Sequence, residues 1–213
     1  MKNIAIISIT INIILIFILT YFCLKPVKPK TKSNDIKIVN TKGALKTIFE
    51  RKSVREYTDA KVSKDMLNIL LKAGMASPTA GNRQPWAFIT ITDKNILKKL
   101  AEGLPYAQML NKASAAIVVC GIPSESFSGK ESEYWIQDCS AASENILLAV
   151  EALGLGAVWT GVYPVKERID WVSKILHIAP GTIPLNVIPI GYPSGQQKIK
   201  DKYKIEKIHW EKW

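Results

Sequence analysis

Cysteine and histidine are scarce in this chain: three cysteines, at positions 23, 120 and 139, and two histidines, His177 and His209. No C-x-x-C occurs and no two cysteines are close in sequence, so neither a disulfide framework nor a zinc site of Cys and His ligands is expected. Also missing are a G-x-G-x-x-G run and a P-loop, which removes the commonest signatures of dinucleotide and nucleotide binding. With 12 Gly and 11 Pro there is no collagen-like or low-complexity bias. Acidic residues are few, 18 against 29 basic, for a formal charge of +11. No base-reading motif accompanies that charge, so nucleic acid is not an expected partner.

What is present is an ordinary globular composition, 47% hydrophobic and 22% charged in 213 residues, enough for one domain with an extra segment. Ile4 to Leu24 holds 21 consecutive residues without a charge, about the length a helix needs to cross a bilayer. Residues 1–24 are therefore read as an N-terminal transmembrane anchor. The rival is a cleaved signal peptide, although the run is long for one and Thr20-Tyr21-Phe22-Cys23-Leu24 contains no small-residue cleavage site. Lys25, Lys28, Lys30 and Lys32 follow the span, against Lys2 and the amino terminus before it. The positive-inside rule then puts the bulk of the chain on the cytoplasmic side, with export as the alternative. Residues 25–41, with Pro26 and Pro29 among Lys, Thr and Ser, read as an extended linker. Residues 1–34 carry five of the lysines and no acid, which leaves the remainder at 24 basic minus 18 acidic, or +6. That balance suits an anionic ligand or an anionic membrane surface.

From 42 to 213 helical and strand periodicities alternate. Ser63 caps a helix with Met66, Leu67, Leu70 and Leu71 on one face, ending near Gly74. Trp86–Thr92 reads as a strand, a short helix follows Asp93, and Ala115–Cys120 reads as a buried strand. Glu133–Leu153 is the longest helix, followed by strand Ala157–Thr160, helix Lys166–Leu176 and strand Leu185–Ile190. The sum is a mixed α+β domain without internal repeats.

Three constellations stand out. Arg51-Lys52-Ser53-Val54-Arg55 gathers three cations and a hydroxyl, a set suited to phosphate, though taken alone it also fits a solvated basic turn. Ala76 to Trp86 is a loop steered by Pro78, Gly81 and Pro85, in which Asn82 and Gln84 offer donors and acceptors to a heterocycle. As an alternative it is a plain helix-to-strand connection. In Gly154 to Pro164, the glycines would let backbone approach a flat ligand.

Taken in order, Arg51–Arg55, Ser77–Trp86, the helix beginning Gln137-Asp138, Gly156–Gly161 and Ile190-Gly191-Tyr192-Pro193 resemble the FMN-dependent nitroreductase family. The likeness covers everything after the linker. It implies a three-layer α+β sandwich with a mixed central sheet, a homodimer with FMN at the interface, and NADH or NADPH as electron donor. By the same resemblance Arg51, Lys52 and Ser53 would meet the FMN phosphate and ribityl chain. Arg55 would face the pyrimidine edge of the ring and stabilise charge that develops there. Pro78, Thr79 and Ala80 would approach from the partner subunit, with Asn82 and Gln84 hydrogen-bonding the ring. Trp159, Thr160 and Gly161 would lie beside it. Lys200 and Lys202 stand where the family often has an Arg phosphate ligand, keeping the charge but losing the fork.

No nucleophile, acid–base pair or metal cluster emerges, and the resemblance requires none, because the cofactor carries the redox chemistry. His177 and His209 read as structural, and Cys120 and Cys139 as small core residues. Trp86, Trp135 and Trp159 lie close in sequence to the proposed flavin motifs. The implied activity is electron transfer from NAD(P)H to a nitroaromatic, quinone or similar acceptor in two steps. Alternatives are a specialised chemistry on the same fold, such as reductive dehalogenation or flavin breakdown, and a non-catalytic membrane-tethered flavin-binding module.

Overall fold

In the computed structural model of the protein, which describes residues 43–213, the run Ala115–Gly121 is buried along its whole length. It is strand β2, between β1 (Trp86–Ile91) and β5 (Ile183–Gly191). Two short strands, β3 (Gly156–Ala157) and β4 (Thr160–Gly161), pair with the other side of β5. Every pairing among the described residues is antiparallel, which corrects the expected mixed sheet. The mixed sheet is implied by the resemblance alone; β1 and β5 run in the same direction, but β2 lies between them and is antiparallel to both.

The single strand expected at Ala157–Thr160 is two pieces, and the reason lies across the ladder. Ala157 faces Ile190 and Thr160 faces Val187, so Val158 falls opposite Pro189, which has no N–H to give. The carbonyl of Pro189 lies 3.2 Å from the Tyr57 hydroxyl, which shares its one hydrogen between that carbonyl and the nearer Val54 carbonyl at 2.8 Å.

The helices are α1 (Ala44–Glu50), α2 (Lys64–Met75), α3 (Lys94–Gly103), α4 (Tyr134–Ala152) and α5 (Lys166–Leu176). The starts of α2 and α3 follow the sequence: Ser63 Oγ accepts from the Met66 amide, and Asp93 Oδ1 from the amides of Asn95 and Ile96. The period-two alternation of β2 separates two cores. Ala115, Ile117 and Val119 pack with Leu67 and Leu70 of α2 and with Cys139, Ile146 and Val150 of α4. Ala116, Val118 and Cys120 pack with Leu97 and Leu100 of α3 and Val172 of α5. Helices therefore cover both faces of the sheet, giving the three layers expected.

Among the described residues no helix is long and apolar enough to cross a membrane. The anchor expected at 1–24 and the linker at 25–41 lie outside the described residues.

Candidate functional site

The basic segment that follows α1 is pinned by a residue the motif does not advertise. Val54 is 1% exposed, and its amide donates to the Ala157 carbonyl at 2.8 Å. Gly156 accommodates this packing, since a Cβ there would come within 2.6 Å of Val54. Tyr57 fixes the other end, its hydroxyl donating to the carbonyl of Val54 at 2.8 Å, while its ring fills the space over Gly191. With Val54 buried, its neighbours Ser53 and Arg55 are exposed. Two turns of α4 supply carboxylates behind them: Arg51 Nε lies 3.2 Å from Glu144 and Lys52 Nζ lies 3.1 Å from Glu151. The sequence reading missed both glutamates, although their seven-residue spacing places them on one face of the helix.

Arg51, Lys52, Ser53 and Arg55 line a cavity of about 410 Å³ together with Lys198, Lys200 and Lys202 of the C-terminal segment. Six cations around one cavity make it a place for an anion. Arg55 also lines a second cavity, of about 420 Å³, whose other walls include Met109, Val158, Trp159, Thr160 and Gly161. The skipped ladder at Val158 and Trp159 puts these two residues in its lining. Tyr106 lines the second cavity as well, from a stretch with no periodicity to mark it. Arg55 makes no ion pair among the described residues.

Pro78, Thr79, Ala80, Asn82 and Gln84 line neither cavity. Their loop is tightly built: the Ala80 amide donates to Asp138 Oδ1 at 2.9 Å, the Gln84 amide to Thr79 Oγ1 at 3.2 Å, and Gln84 Nε2 to Asn82 Oδ1 at 3.3 Å. Gly81, Asn82 and Gln84 all have positive φ, 56°, 54° and 54°. The Phe127 ring closes on Gly81 so nearly that a Cβ there would lie 2.8 Å from it.

Burial accounts for the displaced titrations. Cys120 and Cys139 are fully buried, and desolvation pushes each thiol up to about 12, with Cys120 and Asp138 adding to the shift of Cys139. They are core residues, as expected, on opposite faces of the sheet. Desolvation also raises Asp138, against the opposing hydrogen bond from Ala80, and its Oδ2 has no hydrogen-bond partner among the described residues. His177 ends α5 in the left-handed conformation, and His209 stacks on Trp213. Trp135 is buried, packed edge-on to Tyr163 and flat against Gly121, while Trp86 packs on Phe88. Of the three tryptophans considered, only Trp159 lines either cavity. Among the described residues no group of His, Cys, Asp or Glu could hold a metal.

The three-layer α+β fold carries a cavity lined by six cations and, sharing Arg55 with it, a second cavity lined in part by Tyr106 and Trp159, and comparison with known proteins places that fold in a family. The Nitroreductase family matches residues 48–104 and 100–192. A candidate NADH dehydrogenase/NAD(P)H nitroreductase of Archaeoglobus fulgidus is 44% identical over 172 residues, 79% of this chain and 98% of that protein. A crystal structure of a protein of the same description from Parabacteroides distasonis is 49% identical, covers 80% of this chain and 98% of its own, and superposes with a TM-score of 0.76. A candidate nitroreductase of Desulfovibrio desulfuricans, solved in complex with FMN, is 28% identical, covers 81% and 98%, and has a TM-score of 0.68. The chain belongs to the nitroreductase family and is an oxidoreductase of that family.

Proposed function

We propose that the protein binds FMN across the two adjoining cavities and uses it to pass electrons from NADH or NADPH to a small acceptor, a nitroaromatic or a quinone. The observation that carries this reading is Arg55, shared between a cavity lined by cations and one lined by Trp159, Tyr106 and Met109. A phosphate-bearing flavin needs those two environments side by side, and the relative solved with FMN supports the assignment. The chemistry supplied by FMN held there would be uptake of hydride from a nicotinamide and release of electrons to an acceptor.

The chain's own residues bind and orient. Arg51 and Ser53, with Lys200 and Lys202 opposite, hold the phosphate by charge-assisted hydrogen bonds. Lys52 adds charge while tied to Glu151. Arg55 supplies a fixed cation where the ring gathers negative charge. Trp159, Thr160 and Gly161 would form a wall beside the ring, and donor and acceptor would share the space that remains in turn. That sharing of one space is the basis of a two-step mechanism.

The working unit in this reading is a homodimer. Pro78, Thr79, Ala80, Asn82 and Gln84 reach the ring from the second chain, which also covers Leu45, Phe49 and Trp210, exposed by 68%, 71% and 81%. Residues 1–24 hold the domain on the cytoplasmic face of a membrane, where the nucleotide donor is made.

The absorption spectrum of the purified chain tests the cofactor first. Bound flavin is expected, with NAD(P)H oxidation that depends on an added acceptor. A folded protein that stays colourless with added FMN would sink the reading.

A further inference from the structure

Arg168 borders a wall that the cavity of about 420 Å³ beside Arg55, called the ring cleft below, shares with a smaller recess. It sits in the first turn of α5, half-buried, and its Nη1 donates to the Gly161 carbonyl at 3.2 Å. Its Cζ lies 5.6 Å from the centre of the Tyr106 ring. Arg168, Leu104, Pro105, Tyr106, Thr160 and Gly161 border a recess of about 30 Å³, and the last four of these also line the ring cleft. The recess and the cleft therefore share a wall.

The charge of Arg168 has no counterpart among the described residues. Lys166, on the same helix, pairs with Asp170 at 2.6 Å, whereas Arg168 forms no ion pair. A single carbonyl occupies one of the five N–H donors of a guanidinium. Holding that carbonyl needs a donor but not a full charge. A cation fixed by a carbonyl and an aromatic ring, without a carboxylate, next to a substrate-sized cleft, suits an oxyanion.

We propose that Arg168 is a specificity-determining residue that takes an oxyanion, carboxylate or phosphate, carried by a molecule entering the ring cleft. The proposal rests on the electron-transfer reading only in naming that molecule as donor or acceptor. The oxyanion has two possible sources there: a carboxylate on the acceptor, or the extra phosphate that distinguishes NADPH from NADH.

Paired probes separate the sources. The affinities of para-nitrobenzoate over para-nitrobenzamide, and of NADP+ over NAD+, are measured by calorimetry on the full chain, with Arg168→Met and Arg168→Lys alongside. Arg168→Met is expected to lower one of the two ratios about ten- to a hundredfold, the loss of a charge-assisted contact, and Arg168→Lys to restore part of it. A fall in the benzoate ratio assigns the acceptor, and a fall in the NADP+ ratio assigns the donor. Ratios unchanged within about twofold, or both members of a pair weakening together, leave Arg168 as a clamp on Gly161 and overturn the proposal. Should Arg168→Met misfold, the Nε nitrogen signal of Arg168 in the natural protein must shift on addition of para-nitrobenzoate or NADP+, and its constancy overturns the proposal equally. A missing flavin spectrum counts against the cofactor alone, because the same ratios are still read on the flavin-free chain.

Discussion

Lys52 and Glu151 meet across 99 residues of chain, Nζ lying 3.2 Å from Oε1 and 3.1 Å from Oε2 of a glutamate whose side chain is only 7% exposed. Together with Arg51 and Glu144 they seat the basic segment on α4. Lys52 is thus tied into the framework of the cationic cavity that it lines.

Removing that cation should therefore show in stability before it shows in cofactor binding. Lys52→Met faces a nearly buried carboxylate with an apolar group, and because Lys52 itself keeps a quarter of its exposure the cost should be about 1–3 kcal/mol, below that of a fully buried pair. Urea unfolding reads it, and adding Glu151→Gln should recover part of the loss. A variant as stable as the natural protein would show the pair to be idle.

Arg51 and Arg55 should separate by function. Arg51→Ala is expected to weaken FMN retention, and Arg55→Ala to slow reduction by NADH more than it weakens retention. Each loss should be about 1.5–3 kcal/mol, roughly ten- to a hundredfold. Fluorescence titration of FMN and stopped-flow reduction give the two readouts, and equal effects of both variants on both would refute the division.

Alkaline pH should weaken the fold. An unfolded thiol releases its proton near its ordinary 9.0, while buried Cys120 and Cys139 hold theirs to about 12. The unfolded state sheds protons first, so the stability present below pH 9 falls as pH rises toward 12, by about 1.4 kcal/mol per pH unit for each thiol. Denaturant midpoints from pH 8 to pH 10 check this, and Cys120→Ala with Cys139→Ala should flatten the slope.

His177 should tolerate loss better than a catalytic histidine could. It carries φ of 51° at the end of α5, a conformation glycine adopts without strain. His177→Gly is expected to raise thermal stability by about 0.5–1 kcal/mol with unchanged NAD(P)H oxidation. Lost activity in a folded variant would give this residue a role not assigned above.

The membrane assignment is settled by protease accessibility. Added to spheroplasts, protease should spare the domain, and added to inverted vesicles it should remove it. Digestion in the first preparation, or a mature amino terminus beyond Phe22, would show export instead.

Much of the layering was legible because burial imposes periods on sequence. The unbroken apolar run Ala115–Cys120 marks a strand buried on both faces, the three- and four-residue steps of α4 name its core face, and Ser63 and Asp93 mark helix starts chemically. The cationic cavity was legible in part, since Arg51, Lys52, Ser53 and Arg55 are contiguous. Strand direction was not, because helical connections are compatible with either sense and only the adjacency of β2 decides. Tyr106 and Arg168 were illegible for a different reason: they reach the cleft through tertiary placement and occupy no motif. The helix α1 was also missed, being a short element whose Leu45, Ile48 and Phe49 are exposed in the isolated chain rather than packed in a stripe.

Pro189 gives the sheet a consequence beyond packing. A strand edge tends to zip shut, each amide drawing the next into register, and a complete ladder at this edge would have committed Val158 and Trp159 to backbone pairing. One missing hydrogen on β5 halts that propagation for two residues, and the Tyr57 hydroxyl reaches the carbonyl left over. The cleft beside Arg55 is in that sense an unfinished strand, kept open by a donor the polypeptide never had.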